Sequence, residues 1–584
     1  MWQRRSCWLG VLFLVLAACG PAAQEATVAT APPRATNTPV ASVPAASATV
    51  TPVPKASATP APAAAASSAA TDQPKYGGTF IASLRGDPTG WDGWMTKSGA
   101  NDVRKQHNIA FSMLASVPAV KESQCSLDIL PDAAESWKWT NATTFELKLR
   151  SGIKFHNKPP VNGREMTAED VVNSFQQAWW EVKMRDYELM APYIKSMQAI
   201  DRYTVRFTTD APLSPLVPRG LGNPYGAVIV PKEVMQPKTG WNDPVKSYIG
   251  SGPFMFKQWI AGVKVVYERN PDYFKKGQPY VDQFVFLIVP DMATRLAAVR
   301  SGKLDLWSDQ VPVTVAMEVR RTNPDFQIQK CPSNAYHTHV VMAVQKPPFN
   351  DVKVRRAISM AIDRQALLQS VLQGEGTFTP LFPPLSSQYL TKMDEVPADI
   401  RQYVEYHPDK SKQLLAEAGY PNGFEASINA TSYYGSPHVE FAQAIASMLE
   451  KVGVKAKINW QQYTTYQEVT IAGKFDSMGL TMVGIKDPFQ IFGRFYGPAP
   501  GTSNYQRVAD PQFDALMDQY NQTVDEAKAT ELARQMQFRL IDQAWAILTP
   551  AAYDYSIAQP WVRGFYYSLP LVTSRWAENV WLSR

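Results

Sequence analysis

Cysteine is scarce: the 584 residues hold four, and no two form a C-x-x-C pair, which excludes the usual structural zinc motifs. Basic residues gather into no run. Lys and Arg exceed Asp and Glu only by 58 to 52, and so dispersed an excess leaves no electrostatic footprint for nucleic acid. Catalytic signatures are missing too: there is no G-x-S-x-G elbow, no H-E-x-x-H helix and no G-x-x-x-x-G-K phosphate loop. Beyond residue 18 no second apolar run is long enough for a membrane span, and no internal repeat emerges. Aromatic residues are plentiful, with 16 Trp, 25 Tyr and 25 Phe. They suffice for a large core and, at this length, for more than one lobe.

The apolar run at 8–18, WLGVLFLVLAA, follows Arg4 and Arg5. It is about half the roughly 20 residues that a spanning helix needs, so it reads as a signal-peptide core. It stops at Leu16-Ala17-Ala18-Cys19, which resembles the lipobox of bacterial lipoproteins. That resemblance implies cleavage before Cys19 and lipid on its thiol; an ordinary secretory signal with an incidental cysteine is the alternative. Residues 20–74 are almost entirely Ala, Thr, Ser, Val and Pro, with few charges and no aromatic ring. Such a composition cannot offset its ordering entropy. Residues 1–18 are thus expected to be a signal peptide and 19–74 a disordered tether, reaching about 170 Å when extended and ~40 Å as a coil. Loss of Arg4 and Arg5 with the signal takes the formal charge from +6 to +4. The expected location is extracytoplasmic, held to the cell membrane by lipid on Cys19. Cys125 and Cys331 remain, either as one disulfide or as two buried thiols, since sequence does not fix their separation.

The folded part alternates strand and helix signals. In TTFELKLRSG, Phe145, Leu147 and Leu149 alternate with charged residues, and Ser151-Gly152 ends the strand. A helix follows in TAEDVVNSFQQAWW, with Thr167 and Asp170 at its start and Val171, Phe175 and Trp179 on one face. Ser436 and Pro437 open another helix, with Phe441, Ile445, Met448, Leu449 and Val452 as its stripe and Gly453 as its left-handed stop. The strand VKAKINW comes next, with Val454, Ala456, Ile458 and Trp460 facing inward. NDVKVRRAISMAIDR packs through Val354, Ile358, Ala361 and Ile362, and HPDKSKQLLAEAGY is a helix ended by Gly419. Such alternation is an α/β pattern.

These stretches, together with IGSGPFMFKQW, YERNPDYF, SGKLDLW and LLQGEG, resemble in order the successive blocks of the extracellular solute-binding proteins of ABC importers. The group is the peptide, dipeptide and nickel group called family 5, and the resemblance covers most of residues 76–570. It implies an α/β, two-lobed, periplasmic-binding-protein-like clamp with an inserted additional α/β domain. Lobe I is expected at 75–117, 201–330 and 546–584, the insert at 118–200, and lobe II at 331–545. Ligand bridges both lobes only when they close, so binding shifts the open and closed populations. A membrane permease and its ATPase are the implied partners.

Ligand contacts in this family come from loops facing the interlobe cleft. Family members with peptide ligands have a tryptophan-aspartate segment ahead of an Asp-Pro, and that carboxylate pairs with the peptide amine. Here VGIKDPFQIF keeps Asp487-Pro488 but lacks the upstream acid and places Lys486 alongside, so Asp487 is either a ligand partner or a helix start. Tyr433 and Tyr434, in a polar loop, offer flat surface and hydroxyls. Trp91 and Asp92, in GDPTGWDGW, stand in part where the family's first lobe has a Leu-Asp-Pro turn. His337 and His339 share a strand face at a spacing that can chelate a metal, but alternating polar residues are ordinary on a half-buried strand and no acidic or cysteine ligand is near in sequence. No metal and no cofactor are expected. His156 is expected to hold a turn.

The leading expectation is a receptor that captures peptides or related small solutes and breaks no bond. An oligosaccharide receptor of the same fold is the runner-up, because an aromatic cleft without a firm amine anchor also suits sugars. An exported, tethered hydrolase is the rival from another class.

Overall fold

The computed structural model describes residues 73–88, 91, 101–117, 120–126, 129–181, 191–213, 221, 228–235, 243–333, 337–379, 389–483, 492, 504, 506–545, 547–567 and 575–584. The expected signal peptide, Cys19 and the tether up to residue 72 lie outside the described residues, as do Asp92 and Asp487. No described helix is long and apolar enough to cross a membrane.

The first strands are β1 (Thr79–Leu84), β2 (Ala134–Asn141), β3 (Thr144–Leu149), β4 (Ile194–Ala199) and β5 (Thr204–Thr209). Then come β6 (Phe254–Ile260), β7 (Lys264–Arg269), β8 (Gln283–Ile288), β9 (Leu306–Val311) and β10 (Gln327–Pro332). After these follow β11 (His337–Met342), β12 (Gly376–Thr377), β13 (Phe424–Ala430), β14 (Val454–Trp460), β15 (Met478–Val483), β16 (Ile547–Leu548) and β17 (Ala551–Ala558). They form three mixed or antiparallel sheets. The first-lobe sheet has the order β10-β17-β9-β1-β8-β7-β6, with β12 added on β17. The second-lobe sheet is β14-β13-β15-β11-β16, and a four-stranded sheet is β2-β3-β5-β4. That four-stranded sheet ends at Thr209, past residue 200, where the insert was expected to stop.

The local signals explain these elements. Phe145, Leu147 and Leu149 of β3 all point into the core. Helix α1 (Ala168–Gln176) starts where expected, but Asp170 does more than complement the helix end. Its carboxylate accepts from the Thr167 backbone at 2.9 Å and is forked by Arg164 at 2.7 and 2.8 Å. Helix α2 (Val352–Ala361) ends before Asp363, which caps a separate helix α3 (Arg364–Ser370) through the N–H of Ala366. Helix α4 (Pro408–Glu417) ends before Gly419 at φ 91°. Helix α5 (Ser436–Glu450) buries Phe441, Ile445 and Leu449, while Gly435 rather than Ser436 is its N-cap. Trp460, expected inside, is 44% exposed, since it ends a strand that is at the edge of its sheet among the described residues.

The insert and the first lobe share one apolar core, which holds Phe145 and Phe207 as well as Phe80, Tyr267 and Phe284. Their seam is tight. The Gly250 turn packs so closely within the first lobe that a Cβ on Gly250 would stand 2.1 Å from the Ala110 carbonyl oxygen, and His156 of the insert binds this turn. Its Nδ1 accepts from Gly250 N–H at 3.3 Å and its Nε2 pairs with the Gly252 carbonyl at 3.1 Å. Cys125 and Cys331 form a disulfide with Cα atoms 5.2 Å apart, which closes the alternative left open by sequence.

Candidate functional site

Strand direction shows where a ligand crevice can lie. In the second lobe β13, β14 and β15 run parallel, so their carboxyl ends share one edge. In the first lobe β1, β8 and β9 do the same. Two short crossings join the sheets, one from Pro332 of β10 to His337 of β11, the other from Leu548 of β16 to Ala551 of β17. β10 lies parallel to β9, because both run antiparallel to β17. β11 starts opposite Val483, at the carboxyl end of β15. Both crossings therefore tie one carboxyl edge to the other, and in open α/β sheets that edge is where crevices bind ligands.

On the second-lobe edge the loop after β13 carries Tyr433 and Tyr434, and the turn after β14 carries Tyr463 and Tyr466. Thr431 Oγ1 accepts the Tyr433 N–H at 3.3 Å, Gly435 N–H donates to the Ser432 carbonyl at 3.0 Å, and Gly435 adopts φ 90°. This turn delivers Tyr433 outward. Its ring is 65% exposed and stacks on Tyr463 at 3.8 Å with an interplanar angle of 17°. Tyr434 stands edge-on to both, at 5.5 and 5.9 Å. Beneath them Tyr466 is buried and donates its hydroxyl to the Leu480 carbonyl of β15 at 3.0 Å. His438, buried under Tyr434, is pushed by burial to a pKa of about 4 and stays neutral. An exposed, pre-stacked ring can hold a planar group, a sugar face or a cation.

The sequence reading names Tyr433 and Tyr434 in this loop but not Tyr463 and Tyr466, which stand beside them. A signal existed: QQYTTYQ directly follows β14, and a spacing of three puts both rings on one side of a helical turn.

The first-lobe segment after β1 behaves differently. Trp91 is 5% exposed, with its ring enclosed by Tyr248, Phe256 and Trp259 at 5.0–5.5 Å. It packs the lobe core instead of lining a crevice, which corrects the expected cleft role. Asp87 of the same segment accepts from Trp259 Nε1 at 2.8 Å and from Gly262 N–H at 2.8 Å, fastening the β6–β7 hairpin. His339 is buried, with Nε2 2.8 Å from the Thr481 hydroxyl. A cavity lined by Gln345, Asn504 and Arg507 lies beyond the carboxyl end of β11, away from the candidate crevice edge.

The chain matches the model of the bacterial extracellular solute-binding proteins, family 5 Middle, over residues 128–503. It is 30% identical over 470 residues to Heme-binding protein A of Haemophilus influenzae, covering 76% of this chain and 82% of that protein. It is 28% identical over 463 residues to the dipeptide-binding protein of Escherichia coli, covering 75% and 84%. Among solved structures it is similar to HbpA2 of Haemophilus parasuis, with a TM-score of 0.73 at 26% identity over 86% of this chain and 100% of that one. The matched residues 128–503 include Tyr433 and Tyr463, and the chain belongs to family 5 of the bacterial extracellular solute-binding proteins.

Proposed function

We propose that this protein is the lipid-anchored receptor of an ABC importer, taking a peptide or related small solute between its lobes and handing it to a membrane permease and ATPase. The observation that carries this reading is the exposed Tyr433–Tyr463 stack on the carboxyl edge that the two crossings tie to the first lobe. The relatives named for dipeptides support a peptide as the solute. Asp487 follows β15 in sequence and is the proposed amine partner, with Asp92 as a further proposed ligand contact. In this reading residues 75–117, 210–332 and 549–584 form the first moving half, 333–548 the second apart from β12, and 118–209 the insert. Cys19 moors the chain, and 19–74 give it reach over the cell envelope. Two or more acyl chains suffice for stable attachment.

Mass spectrometry of small molecules released from the purified protein tests the reading, followed by thermal-shift screening against di- and tripeptides, oligosaccharides and divalent cations. A ligand that binds only the folded state raises the melting temperature. A peptide hit supports the proposal, a sugar hit alone supports the oligosaccharide receptor, and steady consumption of any added compound overturns both.

A further inference from the structure

Besides the two crossings, one more piece of the second lobe lies against the first. Helix α3 is rooted in the second lobe, where Leu367 shares a core with Val340, Ile428 and Leu480. The buried guanidinium of Arg364 donates to the carbonyls of Ser359, Val404 and Leu548, the last of these at the end of β16. From α3 the chain turns through Gln373 and Gly374, at φ 54° and 78°. It then lays β12 antiparallel on the start of β17, with Gly376 opposite Ala552 and Thr377 opposite Ala551. A Cβ on Gly376 would stand 2.5 Å from the Ala551 carbonyl oxygen, so glycine permits this approach.

The turn carries Glu375 across the line of the crossings. Its carboxylate accepts from Lys330 Nζ of β10 at 2.7 Å and from the Tyr555 hydroxyl of β17. Its backbone carbonyl accepts the Tyr553 N–H at 3.2 Å. The Lys330 ammonium also lies 4.4 Å from the centre of the Tyr553 ring. Tyr555 belongs to the first-lobe core, with Trp307 and Val319. One carboxylate, on the turn between second-lobe α3 and β12, thus holds two first-lobe side chains, one on each first-lobe strand at a crossing.

We propose that Lys330, Glu375 and Tyr555 form an interlobe latch, and that Glu375 is a positioning residue for ligand capture, setting the balance of open and closed forms without touching ligand. Rotation about the crossings moves helix α3 relative to β12, which stays on β17, and so bends the turn between them that carries Glu375; the latch is made to different extents in the two forms. Hydrogen bonds to charged groups are stronger than neutral ones. A binding-competent form populated to a given fraction binds with that fraction of its intrinsic affinity, so the latch acts on affinity from a distance. The inference rests on the clamp reading above.

The test uses the full chain without ligand, carrying a fluorescent donor and acceptor on non-natural residues at positions 303 and 412, both exposed and one in each lobe. Glu375→Gln and Lys330→Met are each expected to change the ratio of short to long interlobe distances by about threefold or more. The double variant is expected to go no further than either single one, and Lys330→Arg to restore the wild-type ratio, with melting temperatures little changed. Wild-type ratios in both single variants, or shifts that simply add in the double variant, overturn the latch. A single fixed distance in all variants and in the wild type, with and without a dipeptide library, overturns the clamp reading together with it.

Discussion

Asp132 and Arg575 stand 443 positions apart in the chain and meet as an ion pair, each with a side chain 1% exposed. Lys275 lies 3.5 Å from the same carboxylate and 2.7 Å from Glu578, and the Tyr273 hydroxyl donates to Glu578 at 2.5 Å. The cluster fastens the C-terminal segment to the insert and the first lobe. Burial alone pushes the Asp132 carboxyl up, but Arg575 and Lys275 outweigh it and hold the group below the usual carboxylate range. Removing one member of a buried pair strands the other, at a cost of about 3–5 kcal/mol. Arg575→Met is expected to destabilise the fold by that much in urea titrations, and Asp132→Asn/Arg575→Met to recover part of the loss. Equal losses in the single and double variants would contradict the coupling.

Acid is expected to destabilise the fold through two imidazoles. Burial pushes His156 down to about 3, helped by the Lys158 charge, and His438 down to about 4. In the unfolded chain both titrate near 6.5. Below that value the unfolded state binds more protons than the folded one, so stability is full above about pH 6.5. As the pH drops from there toward the folded values, each imidazole removes about 1.4 kcal/mol for every tenfold rise in proton concentration. Denaturation midpoints measured from pH 7 to 4.5 should fall, and His438→Phe should flatten part of the slope. For His156 the geometry agrees: Nδ1 accepts from Gly250 N–H, so a proton there breaks that bond.

Tyr433 and Tyr463 are expected to matter for capture more than for folding. An aromatic contact is worth about 0.5–1.5 kcal/mol beyond its area, so Tyr433→Ala should weaken the best peptide from the thermal-shift screen roughly 3- to 10-fold, as read by calorimetry. The melting temperature of the free protein should barely move, because the ring is largely exposed. Tyr463→Ala should weaken binding and also loosen Tyr433. Unchanged affinity in both would remove the stack from the binding site.

Gly250→Ala should be among the worst conservative changes in the chain. The added methyl carbon would overlap the Ala110 carbonyl oxygen at 2.1 Å, and backbone cannot step aside as a side-chain tip can. Loss of soluble protein, or a fall of several degrees in melting temperature, is the expected result. Gly86→Ala is the control for space, since nothing lies within 4 Å of its Cβ position and its backbone is outside the left-handed region.

Features set within a few residues were readable. The alternation of Phe145, Leu147 and Leu149 and the stop at Gly453 are local facts about one strand and one helix end. The site was readable in half. Tyr433 and Tyr434 stand out as rings in a polar loop, but their partner Tyr463 becomes visible only once β13 and β14 are known to be neighbours. Trp91 was misjudged for the converse reason: the rings that bury it come from residues 248, 256 and 259, outside any window drawn around it. The cysteine pair stayed open because 206 positions separate its members.

The place of β17 has a consequence for biogenesis. This strand, at Ala551–Ala558, lies inside the first-lobe sheet between β10 and β9, although almost the whole chain precedes it. On a ribosome or during secretion the N-terminal half of that lobe must wait, unfinished, with β9 and β10 lacking the strand that joins them. Maturation is therefore a closing event: a strand from far down the chain completes the first lobe to have begun.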